Sequence, residues 1–175
     1  NASAGGIVGK IMHDSANTTK KLAYTFNECK ILGTKDVNGN VTTPVSISST
    51  QGGAGGFVGV VSITAQSSYW YGGLIDCYKA TVDGLKVQTT GASAVGGLIG
   101  YVGNIVNSQI KIRENSLTNM SLVATGTTAC EAGGLIGRYK PVPLDYADNY
   151  IKTEKHILSV SNNTVKNSTI TSEAD

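Results

Sequence analysis

Side chains able to do chemistry are few and scattered in this chain. His13 and His156 are the only histidines, neither sits at a zinc-binding spacing, and no serine occupies a Gly-x-Ser-x-Gly setting. Both read as loop residues. Paired carboxylates could carry acid–base or glycan-cleaving work, and Asp76, Glu114 and Glu28 are the only set at matching places of a repeated pattern. Since they flank an anchor of that pattern, a structural corner role outweighs a catalytic one. The cluster Tyr69-Trp70-Tyr71 holds the only tryptophan. Such rings on a corner either stack on sugar faces, giving a ligand site, or cover the side of the fold, and both readings stand. Asp145, Asp148 and Glu154, in an irregular stretch from Pro141 to His156, lack the regular acidic spacing of calcium loops and read as solvated charge. Cys29, Cys77 and Cys130 fit no zinc or redox motif. No catalytic residue, metal site or cofactor is expected.

The elements that position these residues are set by a phrase of two glycines, two apolar residues and a glycine. It occurs as Gly5-Gly6-Ile7-Val8-Gly9, Gly55-Gly56-Phe57-Val58-Gly59, Gly96-Gly97-Leu98-Ile99-Gly100 and Gly133-Gly134-Leu135-Ile136-Gly137. The first glycines lie 50, 41 and 37 residues apart. A recurring period of this size marks a repeat architecture, in which each unit relies on its neighbours to bury its apolar face. The glycines are no phosphate cradle, because no Lys-Ser/Thr follows and no Gly-x-Gly-x-x-Gly fits. A kelch propeller would place the apolar run before its glycines and a Trp in every blade, unlike this chain.

A second phrase falls within each unit. Phe26-Asn27-Glu28-Cys29-Lys30-Ile31, Ile112-Arg113-Glu114-Asn115-Ser116-Leu117 and Val160-Ser161-Asn162-Asn163-Thr164-Val165 share apolar ends around a Cys or Asn anchor. Leu74-Ile75-Asp76-Cys77 fits its first four places, which makes Cys77 the second unit's anchor. On this alignment the anchors Cys29, Cys77, Asn115 and Asn163 follow their first glycines by 24, 22, 19 and 30 residues, so insertions lie in corners while strands keep register. Cys29 and Cys77 would then be stacked neighbours, able to form a disulfide, although buried thiols acting as small apolar fillers explain the same residues better. Stacked asparagines would bond their own backbone and their copies in the next unit. Gly72-Gly73-Leu74-Ile75 reads as a degenerate echo of the glycine phrase, and Asp36 to Val41, with its Asn-Gly pair, as a small hairpin.

Composition agrees. The chain has 175 residues, 22 glycines and only 15% charged residues, favouring strands and turns. A net charge of +2 gives no reason to expect nucleic acid, and no apolar run is long enough for a transmembrane helix, so no direct membrane insertion is expected. Asn-x-Ser/Thr patterns begin at Asn1, Asn17, Asn40, Asn119, Asn162 and Asn167, and an Asn/Thr-rich strand pattern accounts for most of them.

The phrase Gly-Gly-Leu-Ile-Gly, followed by strands such as 162–171 and 76–84 and then by another copy, resembles the GLUG-motif repeats of bacterial secreted and surface proteins. The resemblance spans all four units and implies a β-solenoid on the bacterial exterior; it implies no catalytic residue. The expected fold is therefore all-β, a right-handed parallel β-solenoid (β-helix) of about four irregular repeats at 4–53, 54–94, 95–131 and 132–175. The expected function is a non-catalytic structural or adhesive module, extracellular or on the cell surface. Its partners would be neighbouring repeats and a host or cell-surface ligand such as a glycan. A filament-forming subunit and a glycan-binding or glycan-cleaving β-helix are the alternatives. The next glycine phrase would fall just past Asp175, so a segment of a longer array, or one stacking on neighbours, is expected.

Overall fold

The computed structural model describes residues 2–12, 23–62, 70–71, 73–91, 93–103, 105–106, 108–126, 130–140 and 157–174. These residues are all-β, built on parallel sheets, with no helix among them. The glycine phrases open the pattern. Short strands Ala4–Gly5, Ala54–Gly55, Ala94–Gly96 and Glu131–Gly133 lie side by side in sequence order, with Gly5, Gly55, Gly96 and Gly133 in register. A Cβ on the first glycine of any phrase would overlap the carbonyl oxygen three residues on, so the turn that follows admits no side chain.

Past the turn the chain enters a second parallel sheet, Val8–Ile11, Val58–Val61, Ile99–Gly103 and Ile136–Lys140, again ordered by unit. A third holds Ala23–Asn27, Leu74–Tyr78, Gln109–Arg113 and Ile157–Ser161. The fourth is built on two long strands, Thr81–Thr89 and Ser116–Gly126; Lys30–Leu32 and Val45–Ser49 flank one side, Thr164–Lys166 and Thr169–Ala174 the other. Because every pairing between units is parallel and in step, apolar residues form columns. Ile75 stands between Tyr24 and Ile110, and Ile110 between Ile75 and Leu158. Ile47, Val87, Leu122 and Ile170 make another column. The core is continuous through the units, with Phe57, Ile75, Leu85, Leu98, Ile110 and Leu117 fully buried.

Third and fourth sheets meet at a corner that repeats in every unit. Glu28, Lys79, Glu114 and Asn162 adopt left-handed φ values of 53°, 52°, 57° and 54°. Three of the four are residue types that seldom adopt this conformation. What holds them is hydrogen bonding between units: the Glu28, Lys79 and Glu114 amides donate to the carbonyls of Tyr78, Arg113 and Ser161 at 2.9, 3.2 and 3.1 Å. A further bend comes at Gly84 (φ 76°), Asn119 (53°) and Asn167 (49°). There the first unit inserts a hairpin, Thr34–Lys35 against antiparallel Val41–Thr43, whose turn contains Gly39 at φ 84°. The Asn-Gly pair had marked it.

Two parts of the sequence alignment need correction. Cys77 pairs with Phe26 and Ile112, not with the anchors, and Thr81 pairs with Lys30 and Ser116. The second unit's anchor is therefore Ala80, stacked between Cys29 and Asn115. The strand Leu74–Tyr78 simply runs three residues further than its likeness to the anchor phrase implied. Gly73 opens that third-sheet strand and is no echo of the glycine phrase, while Glu28 and Glu114 share the corner with Lys79 and Asp76 lies opposite Thr25 and Lys111.

Candidate functional site

The sequence pointed to Tyr69, Trp70 and Tyr71. Tyr69 lies outside the described residues, as do His13, His156, Asp145, Asp148 and Glu154. Trp70–Tyr71 forms a short parallel pairing with Ile105–Val106 of the next unit, which puts this backbone on the side of the stack.

A site the sequence reading missed lies over the second sheet. Lys10, Val60, Tyr101 and Arg138 are register partners, one from each unit, and form an outward column. Each is the fifth residue after the first glycine of its phrase, so the column was present in the sequence once the register was known. Beside it runs a groove of about 230 Å³ lined by Lys10, Tyr101, Arg138, Gln51, Ser62 and Ser93, with Gly52 and Gly53 in its floor. A Cβ at Gly53 would come within 2.6 Å of the Gly59 oxygen and 3.0 Å of Tyr101 Cβ, so a side chain there would collide with the column. Arg138 is fixed by Glu131, Nε to Oε2 2.6 Å, and its guanidinium lies 6.0 Å from the Tyr101 ring centre. Lys10 is exposed at the other end. Cations, one ring face, hydroxyls and an amide suit polar recognition, with no nucleophile–base pair among the described lining residues.

The carboxylates do not converge as an acid pair. Asp76 is buried and held by Arg113, whose Nε and Nη2 donate to its two oxygens at 3.2 and 2.8 Å. The same guanidinium lies 4.1 Å over the Tyr78 ring, with Lys79 Nζ 4.9 Å from that ring. On the fourth sheet Asp83 pairs with Lys35 of the hairpin and accepts from Asn119 Nδ2 at 2.7 Å. Hydrogen bonds from Lys35 and then Asn119 lower its pKa below the ordinary 3.8. No disulfide joins Cys29, Cys77 or Cys130, and burial pushes the Cys77 thiol up to about 12, with Asp76 and Cys29 adding to the effect. No group of three or more His, Cys, Asp or Glu among the described residues could hold a metal ion.

The anchor asparagines do what their stacking suggested. Asn115, buried, accepts from the Ala80 amide at 2.8 Å and donates through Nδ2 to the Cys77 carbonyl at 3.0 Å and to Asn163 Oδ1 at 2.7 Å. Asn163 in turn donates to the carbonyls of Ile112 and Ser161 at 2.7 and 2.9 Å. The ladder links units two, three and four. Comparison with models of protein families, with curated proteins and with solved structures finds no match.

Proposed function

We propose that the chain coils as a right-handed parallel β-solenoid and serves as a non-catalytic structural and adhesive module of a bacterial surface protein. The observation that carries this reading is the unit-by-unit register, kept in four sheets through insertions of different length. Parallel strands joined by crossover connections turn right-handed in about 98% of cases, which sets the expected hand. A stack tied by backbone bonds and an asparagine ladder is a stiff column, and columns of outward residues give it an extended contact surface. The resemblance of its glycine phrases to GLUG-motif repeats supports the extracellular, cell-surface setting.

Adhesion is assigned to the groove beside Lys10, Tyr101 and Arg138, whose ring face and cations suit an acidic glycan. The test is equilibrium binding of the chain to a panel of immobilised neutral and acidic polysaccharides, with Trp70→Ala and Tyr101→Ala measured alongside. Saturable binding to an acidic polysaccharide, weakened about tenfold by Tyr101→Ala, is expected, because a buried aromatic contact contributes on the order of 1 kcal/mol or more. Binding that Tyr101→Ala leaves unchanged refutes the groove. Loss with Trp70→Ala alone would move the site to the neighbouring side of the stack.

A further inference from the structure

A second groove lies over the fourth sheet, on a different sheet from the column of Lys10, Tyr101 and Arg138. Its volume is about 590 Å³. One wall is the hairpin inserted by the first unit, through Asn40, Val41 and Pro44. The other is made by Lys86 of the second unit, Asn119 and Ser121 of the third, and Asn167 of the fourth. Lys86 and Ser121 are register partners, and Asn119 and Asn167 hold the same place in the bend of successive units, so the groove runs along the stack.

The walls are fixed before any ligand arrives. In the second unit that place of the bend is Gly84, and Val41 of the hairpin packs so close that a Cβ there would stand 2.7 Å from it. Asp83 pairs with Lys35 at the base of the hairpin and accepts from Asn119 Nδ2 at 2.7 Å. One carboxylate therefore ties the hairpin down and orients the Asn119 carboxamide, whose Oδ1 remains as an acceptor. Asn40 is held in the same way, its Nδ2 donating to Asp36 Oδ2 at 3.1 Å and its amide to Oδ1 at 2.8 Å. Such preorganisation lowers the ordering cost of binding.

Carboxamides both donate and accept, which matches hydroxyl groups. Asn119 and Asn167 are one unit apart, about 4.8 Å, close to the advance of one pyranose ring along a linear polysaccharide, whereas an extended peptide advances about 3.3 Å per residue. Val41 and Pro44 offer apolar surface to the C–H face of a ring. Lys86 is exposed and has no carboxylate partner among the described residues, and no carboxylate is among the described lining residues. We propose that this cleft is a second glycan site, taking a short segment of a linear acidic polysaccharide laid along the stack, with hydroxyls on Asn119 and Asn167 and a carboxylate on Lys86. The proposal rests on the reading of the chain as a glycan-binding module, and not on the groove beside Tyr101.

The experiment is an amide-resolved NMR titration of the 175-residue chain with acidic oligosaccharides from disaccharide to tetrasaccharide, cut from polygalacturonate, alginate and hyaluronan, and with uncharged cello-oligosaccharides of the same lengths. Saturable shifts of the Asn40, Lys86, Asn119 and Ser121 amides are expected with an acidic series. Lys86→Gln should weaken that binding about tenfold and Asn167→Gly about fivefold, while Tyr101→Ala leaves it unchanged. Both cleft variants should keep a thermal midpoint close to that of the wild type, because Lys86 is exposed and glycine adopts the φ of 49° at position 167 without strain. Shifts confined to the second sheet overturn this site and leave the glycan reading intact, whereas no shift with any oligosaccharide overturns both. Equal affinity for the uncharged series, or binding that Lys86→Gln leaves unchanged, overturns the assignment to an acidic glycan.

Discussion

Replacing Asn115 by Ala removes one side chain that satisfies polar groups of two neighbouring units. Asn115 is 2% exposed. Its loss takes the acceptor from the Ala80 amide at 2.8 Å and one of the donors from the Cys77 carbonyl at 3.0 Å, both in a buried setting. A buried group left without a partner costs roughly 1–3 kcal/mol and a lost hydrogen bond about 1 kcal/mol, so the substitution costs roughly 2–4 kcal/mol. The loss is a large part of the total stability of a domain, about 5–15 kcal/mol. Asn163 makes a comparable set of bonds but is only half-buried, so water takes over part of its role, and Asn163→Ala should cost about 1 kcal/mol. Urea unfolding followed by circular dichroism reads the difference: with a slope of about 2 kcal/mol per molar, Asn115→Ala moves the midpoint down by about 1–2 M and Asn163→Ala by about 0.5 M. Equal shifts for the two variants, or a shift near zero for Asn115→Ala, would refute the ladder as a source of stability.

Other consequences follow from the charged and sulfur groups. Asp83 has its pKa depressed in the folded chain by Lys35 and Asn119, so the stability from these contacts is fully present above pH 3.8 and is lost as pH falls below it. Asp83→Asn should flatten the acid limb of a stability–pH curve measured by thermal unfolding. Cys77, buried and with its thiol pushed up to about 12, should resist iodoacetamide at pH 8 in the native chain, while half-buried Cys29 and Cys130 react. Mass mapping of the modified cysteines checks this. Gly84 and Gly39 both have positive φ, but a Cβ at Gly84 would come within 2.7 Å of Val41, whereas Gly39 has open space. Gly84→Ala should therefore lower the thermal midpoint further than Gly39→Ala.

How far the sequence announced this fold depends on which atoms enforce each feature. Glycine places came through because backbone contact forbids any side chain there, and such a constraint leaves the residue type visible. The hairpin came through for a different reason, the left-handed φ of 84° at Gly39, which side chains rarely adopt. The second unit's corner did not: Ala80 fills the anchor place with no polar side chain, and Leu74-Ile75-Asp76-Cys77 imitates the anchor phrase three residues too early. Left-handed turns at Glu28, Lys79 and Glu114 are held by bonds to the next unit, and the residue types alone give no sign of them. The groove was hidden for another reason. Lys10, Tyr101 and Arg138 differ in chemistry, and only their common distance from the glycine phrase places them in one column.

The central claim is that units stack in sequence order with their inward residues in register. Methyl-labelled nuclear Overhauser spectra test it most directly, using Ile75, Ile110 and Leu158. Neighbouring strands are about 4.8 Å apart, and alternate ones about twice that. Stacking in this order gives strong cross-peaks from Ile110 to both Ile75 and Leu158, and none between Ile75 and Leu158. A direct Ile75–Leu158 contact, or no contact from Ile110 to either, would contradict it.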